Sequence, residues 1–555
     1  MSSLFNGDFK TRKQILRRFL LEQNPFRKGS PRHDILDAIF IGRRAELRRA
    51  GFAMLDSPRN VLVRGGFGMG KTTFVHKLLS ELARAQHINT LTSYHALVGN
   101  TPLDVYNTAL KGLATAQRDR SERAKVVYEK LMANERFEHP ELLFKELLDE
   151  ANRTYTRVVI AIDELDKHPS RTISELIIQF RPLLDMECSF VLTGKVLDAL
   201  GTIDSSAYGA FETIIELEPF GKDESREIIL RNLNAFRIDG ASDELVPFNE
   251  AVIDLVVRDA GGIPRAINAI CYILIERAVE LELESGEPAA INPDFYNQCL
   301  SSTGAEIYAA STEKERELIR IMRTHGSYLD MQRNLTEYIA EGFYPDVSTP
   351  VMENLTQHDL LLKTETTTNV IYKIAPTVEQ FLITEKKFKM TLRQSWAAAI
   401  AEGLSSSDKG RLLEDFSVAL FERIFKVAAR DLRTATEELD VVLEFQGGDS
   451  IWAQTPTILV ECKNWSSKVP QKEVSALTAK ARLDSFDLAF ILSVSGFTQD
   501  ARMQARDYNL AERSQRRLLV LIEGSDVEHF LSDDSDQTTD DFLKSLRRDA
   551  QLRKL

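Results

Sequence analysis

Residues 60–79, "NVLVRGGFGMGKTTFVHKLL", decide how the first half of the chain is read. Three apolar residues of β-branched or γ-branched type run into a glycine-rich stretch, and a helix-forming run leaves it. The spacing Gly65-x4-Gly70-Lys71-Thr72 is that of a loop that wraps an anion with its backbone amides at a helix N-terminus, where the helix dipole also favours negative charge. Gly66 and Gly68 let the backbone approach closely. Lys71 would reach the β- and γ-phosphates of a nucleotide, the Thr72 hydroxyl would ligate Mg2+, and Thr73 continues the turn.

A second stretch completes this site. "RVVIAIDELDK" (157–167) is an apolar strand ending in Asp163 and Glu164, at the strand tip where α/β folds place their ligands. Asp163 would hold Mg2+ through water, and Glu164 would orient and deprotonate the attacking water. Further short β-rich runs, "INTLTSY", "SFVLTG" and "TIIEL", alternate with helical stretches between about 35 and 220. That alternation predicts a parallel sheet covered by helices. Residues 222–300 read as helices alone.

With those motifs in place, residues 24–280 resemble an AAA+ ATPase of the origin-recognition and transposition-helper type. "NPF" (24–26) and "FIGRRAEL" (40–47) resemble its opening motif, which implies adenine contact by Gly42 and Arg43. "FVLTGK" (190–195) matches a sensor strand, implying Thr193 near the γ-phosphate. "GGIPRAIN" (261–268) matches a second sensor, implying that Arg265 reaches the nucleotide from a helical lid. The chain departs from the pattern at "SSAYGAFETIIELEPF" (205–220), which holds no arginine to complete a neighbour's site. Slow or switch-like hydrolysis follows from that departure.

Bulk composition bounds the remaining classes. The chain has 555 residues, 43% apolar and 28% charged, with a net charge of −13. That length implies two to four domains. No apolar run approaches the roughly 18 residues of a membrane helix, and the opening "MSSLFNGDFKTRKQ" lacks a signal peptide's apolar stretch. Cys188, Cys271, Cys299 and Cys462 are scattered without metal or disulfide spacing, so a cytoplasmic protein with reduced thiols is expected. The negative charge argues against a general polyelectrolyte binder and confines DNA contact to a local groove.

The second half changes character. "TEKERELIRIMRTHG" (312–326), "TPVMENLTQHDLLLK" (349–363) and "LLKTETTTNVIYKIAP" (361–376) read as helix, helix and hairpin, a winged-helix pattern. Its second helix carries a single lysine, which leaves DNA contact open but favours an intramolecular or protein–protein role. Beyond a polar break at 401–410, "TEELDVVLEF" (436–445) places Asp440 on a strand, and "ILVECKNW" (458–465) returns as its partner. Period-two geometry puts Glu461 and Lys463 on one face, and a bend in the first strand would bring Asp440 beside them. Two carboxylates suit Mg2+ or Mn2+. "TEKKF" (384–388) shows the same Glu-x-Lys spacing without an acidic strand before it, so spacing alone means little.

This second constellation resembles the Mrr-like restriction endonuclease domain, of the PD-(D/E)xK fold, over about 408–525. The resemblance implies Asp440 and Glu461 as metal ligands, Lys463 as the group that orients water or stabilises the transition state, and Glu414 as the acid of the first helix. It also places Gln471 or Glu473 near the site. Leu439 stands where the family often has proline. The expected organisation is an α/β multidomain chain: N-terminal helical segment 1–34, AAA+ core 35–221, helical lid 222–305, winged helix 306–390, linker 391–410, nuclease domain 411–525 and a solvated charged tail 526–555. ATP, a divalent cation and DNA are the expected ligands. Self-association through the ATPase module and a partner protein as trigger stay open, and no membrane partner is expected.

Overall fold

The computed structural model describes residues 11–27, 35–85, 87–97, 99, 101–133, 135, 137–165, 178, 180–194, 211–238, 245–340, 345–365, 369–433, 438–445, 452, 457–483, 486–512, 517–532 and 537–552. The chain divides into two compact units, Met1–Phe381 and Leu382–Leu555.

The first unit is built on a parallel sheet of β1 (Val61–Arg64), β2 (Thr90–Ala96), β3 (Arg157–Asp163), β4 (Ser189–Gly194) and β5 (Thr213–Glu216), in the order β2-β3-β4-β1-β5. β1, β3 and β4 are buried along nearly their whole length, as a parallel sheet covered on both faces requires. Their alternate residues feed two cores. Val61, Val63, Val159, Ala161 and Val191 join one, while Leu62, Val158, Ile160, Ile162 and Phe190 join the other. All five strands expected from the sequence are present.

The all-helical stretch follows as Lys222–Ala235, Glu250–Ala260, Pro264–Ser285 and Pro293–Ala310. Asn249 and Asn292 cap two of these helices, and Gly261 ends one in the left-handed conformation. The last helix carries the lid five residues beyond the expected boundary at 305. The N-terminal helix Arg12–Arg18 opens with a Thr11/Gln14 capping box and buries Ile15 and Leu16. Its Arg12 pairs with Glu276 and its Arg18 with Glu282, both on the lid helix Pro264–Ser285. After the lid come helix Glu313–Thr324, β6 (Tyr328–Asp330), helices Leu335–Ala340 and Pro345–Gln357, then β7 (Leu361–Glu365) and β8 (Val370–Ile374). The hairpin expected from the sequence is β7–β8. β6 adds a third antiparallel strand that is too short to read from periodicity.

The second unit holds a mixed sheet, β13-β12-β11-β10-β9, of β9 (Lys426–Arg433), β10 (Glu438–Glu444), β11 (Thr457–Lys463), β12 (Leu488–Ser493) and β13 (Leu518–Glu523). β9, β10 and β11 run antiparallel; β11, β12 and β13 run parallel. Helix Ser406–Phe421 packs on one face, and helices Gln471–Leu483 and Gln499–Ala511 on the other.

Two expected boundaries are corrected. The segment 391–410 is not a linker. Helix Pro376–Ala399 runs through its first half and buries Leu392, Trp396 and Ala399 in the second unit's core. Their spacing of three to four residues is that of one helical face, which the polar break at 401–410 obscured. Nor is 526–555 a solvated tail. Helices Gly524–Leu531 and Thr539–Gln551 pack on the sheet, with Phe530 and Phe542 stacked at 4.4 Å and Trp452 donating to Asp540 at 2.9 Å. Apart from the buried Arg547, the described charges of helix Thr539–Gln551 are exposed or half-exposed beside an apolar stripe, which composition hid.

Candidate active sites

The turn from β1 into helix Lys71–Arg84 places the glycine loop at the end of the parallel sheet. Gly68 and Gly70 adopt φ of +80° and +84°, which side chains rarely tolerate. A Cβ on Gly65 would stand 2.9 Å from the Leu217 carbonyl, and one on Gly68 would stand 2.9 Å from the Arg265 Cβ. The Lys71 ammonium is buried and donates to the carbonyls of Gly65 and Gly66 at 2.8 and 3.1 Å.

Asp163, at the tip of β3, gathers the rest of the site. Its Oδ2 accepts from the hydroxyls of Thr72 and Tyr94 at 2.6 and 2.7 Å. Its Oδ1 accepts from the Thr193 hydroxyl and, at 2.8 Å, from the Glu164 amide. Burial raises the carboxyl's pKa, but the hydroxyls of Thr193, Thr72 and Tyr94 outweigh it and hold Asp163 below its usual range. Glu164 has φ +69°, so its side chain leaves the strand at a sharp corner, with its amide also bonded to the Thr193 hydroxyl at 3.1 Å. Tyr94 was missed in the sequence. Its signal was position: it lies two residues before the end of β2, the strand that pairs with β3.

Beside this cluster lies an open pocket. Pro25 and Arg27 line it from the N-terminal segment, Arg43 and Thr73 from either side, and Pro264 from the lid. Gly42 holds φ +60° under Phe220, and the Arg43 guanidinium stacks on that ring at 4.3 Å. Arg265 opens the lid helix and donates its amide to the Gly68 carbonyl at 3.2 Å. Its guanidinium covers Phe67 at 4.4 Å and pairs with Asp359 at 3.9 Å. The stretch 195–210, where an arginine finger would be sought, lies outside the described residues.

In the second unit, β10 and β11 pair so that Val441 faces Val460, which brings Asp440 to the level of Glu461. Leu439 packs with the core under helix Gln471–Leu483, whereas Val441 packs with the core of the other face. The strand therefore changes face across Asp440, and the carboxylate turns toward β11. Asp440 Oδ2 accepts from the Cys462 amide at 2.8 Å. Burial first, and then the charge of Glu461, push its carboxyl up to about 6. Lys463 donates to Glu461 Oε1 at 2.8 Å and lies 3.7 Å from Glu473. Gln471 opens the helix that carries Glu473 and bonds Gln504 instead. Glu414 comes from helix Ser406–Phe421, on the Cys462 side of β11. Cys462 packs against the core there. A second lysine, Lys480, stands 3.6 Å from Glu461 Oε2; its signal was the seven-residue step from Glu473, which keeps both on one helix face. Glu385 of the look-alike "TEKKF" instead pairs with Arg423 at 2.8 Å.

These residues suit a hard divalent cation. Glu461 Oε2 is buried without a hydrogen-bond partner, and the half-buried Asp440 faces the charge of Glu461. Among the described residues, no group of three or more His, Cys, Asp or Glu side chains forms a ligand cluster. Mg2+ accepts that, since it commonly keeps several waters and takes one or two carboxylates plus phosphate oxygens.

Fold and sites together define a P-loop nucleotide hydrolase unit joined to a restriction-endonuclease-like unit. Comparison with known families agrees: residues 39–184 match the AAA ATPase domain, and residues 409–531 match the restriction endonuclease family of Mrr type. The chain thus carries an ATPase domain and a nuclease domain, and the domains support both activities. An uncharacterized HTH-type transcriptional regulator of Methanocaldococcus jannaschii is 25% identical over 391 residues, 66% of this chain and 93% of that protein. Among solved structures, the Aeropyrum pernix ORC1 protein in complex with DNA is 14% identical, over 63% of this chain and 94% of that one, with a TM-score of 0.37. The Thermotoga maritima RuvB Holliday junction branch migration motor is 18% identical, over 60% and 92%, with a TM-score of 0.32.

Proposed function

We propose that this protein is an ATP-controlled, divalent-metal-dependent DNA endonuclease that acts inside the cell against foreign DNA. The observation that carries the reading is the convergence of Asp440, Glu461 and Lys463 at one point of the β10–β11 pair. A cation held by Asp440 and Glu461 would supply positive charge opposite the scissile phosphate and ease deprotonation of the attacking water. Lys463 is held by Glu461 on one side and Glu473 on the other, which aims its ammonium at the place where phosphate charge develops.

At the other site, Thr72 and Asp163 would hold Mg2+, which supplies charge neutralisation between the β- and γ-phosphates. Lys71 exchanges the Gly65 and Gly66 carbonyls for phosphate oxygens. Glu164 orients the attacking water, and Thr193 keeps Asp163 in place. The helix–strand–helix–helix–hairpin segment 313–374 is read as a winged helix that couples nucleotide state to the rest of the chain. Support for coupling comes from Asp359, just before β7, which pairs with the lid residue Arg265. Self-association through the ATPase module would add the charge that 205–220 lacks.

The test is incubation of purified protein with plasmid and linear DNA, with Mg2+ or Mn2+, with and without ATP. Nicking that depends on metal and nucleotide is expected. Cleavage that survives Lys463→Ala overturns the nuclease site, and cleavage indifferent to Lys71→Ala or to ATP overturns the control.

A further inference from the structure

We propose that Lys480 is a resident counter-ion that competes with the divalent cation for Glu461. Glu461 lies between two ammonium groups that are not equivalent. Lys463 makes a hydrogen bond of 2.8 Å to Oε1. Lys480 stands 3.6 Å from Oε2, near enough to neutralise it and too far to satisfy it, and that oxygen is buried without a hydrogen-bond partner. A buried carboxylate oxygen balanced in charge but unmet in hydrogen bonding is a ligand that a closer cation takes over.

The two lysines also differ in what holds them. Lys463 follows Glu461 on β11 and has Glu473 on its far side, so its place survives the arrival of a metal. Lys480 comes from a separate helix, Gln471–Leu483; the two lysine side chains are almost equally covered, 18% and 19% exposed, so it is the longer contact to Glu461, 3.6 Å against 2.8 Å, that marks Lys480 as the one a cation displaces. Lys480 therefore keeps Glu461 charge-compensated in the metal-free protein, and the cation must displace it. The expected consequence is a weaker metal site than two carboxylates alone would make.

This inference rests on the nuclease reading, and its test needs no cleavage. Mn2+ alone is titrated into the full-length protein without nucleotide, with free Mn2+ followed by electron paramagnetic resonance. Lys480→Gln should bind Mn2+ about two- to fivefold more tightly than the parent, in line with removal of one ion pair. Lys480→Arg, which keeps the charge, should stay near the parent. Adding Glu461→Gln to Lys480→Gln should abolish the gain, which ties it to this carboxylate. A purely structural lysine would loosen the site when removed, so equal or weaker binding by a folded Lys480→Gln overturns the proposal. If the parent binds Mn2+ and cuts DNA while Lys480→Gln binds no tighter, the nuclease reading stands and this one falls. If neither protein binds Mn2+ at Glu461, both fall together.

Discussion

At Asp440, burial and the charge of Glu461 push the carboxyl from its ordinary 3.8 up to about 6, so the folded protein holds this proton more tightly than the unfolded chain. Stability from that proton is fully present below pH 4 and is lost as pH rises to about 6; above that, the ionised group opposes folding. Asp440→Asn keeps the shape and removes the charge. In chelator, the variant should be more stable than the parent at pH 8 by about 1–3 kcal/mol, with the gain vanishing near pH 4. Trp396, Trp452 and Trp465 are the chain's three tryptophans and all lie in the second unit, so tryptophan fluorescence of the full-length protein reads this transition directly. An unchanged or lowered midpoint at pH 8 would contradict the electrostatics. Gly68 gives a second prediction at this scale. Gly68→Ala places a Cβ at φ +80° and 2.9 Å from the Arg265 Cβ. Strain of about 1–2 kcal/mol is expected, and ATP binding measured by titration should weaken at least about tenfold because the loop can no longer close under the lid.

The element whose role changed most is helix Thr539–Gln551. Its acidic first turn and basic last turn follow the helix dipole, and its apolar side carries Phe542, Leu543 and Ala550 into the core. Arg547 covers the Trp452 ring at 5.1 Å, so a charge that reads as solvated is part of the packing. Phe542→Ala should cost about 3–5 kcal/mol in tryptophan-monitored unfolding, as for a buried aromatic. A solvated tail would show no change. Helix Pro376–Ala399 makes a related point, since its last two and a half turns, residues 391–399, fall within the supposed linker and carry core side chains.

Across the whole molecule, the two sites draw on separate sheets and separate cores, so their chemistry should be separable by substitution. Lys463→Ala should lose cleavage at least about a hundredfold while ATP turnover stays within about twofold of the parent, and Lys71→Ala should lose ATP turnover. A Lys463→Ala protein with lost ATP turnover would show that the sites are coupled in both directions. The glycine loop was legible in the sequence because its spacing is local, with a strand, a turn and a helix start within a few positions of one another; Glu461 and Lys463 were legible only with the acidic strand before them, since "TEKKF" shows the same spacing. Tyr94 and Lys480 were not, because each reaches its carboxylate from another element, and no local spacing records which strand lies beside β3 or which helix covers β11.

The amino-acid order alone determined the alternation of strands and helices and the shared face of Glu461 and Lys463, both consequences of 3.6- and 2.0-residue periods, and the glycine-rich phosphate loop, which follows from residue type and spacing. Tertiary structure decided the rest. It turned Asp440 across its strand toward Glu461, folded Lys71 onto the loop carbonyls, set Asp359 against Arg265, and buried a charged tail as core. Those outcomes depend on which surfaces exclude water together, and burial of that kind is a property of the packed chain and of no single segment.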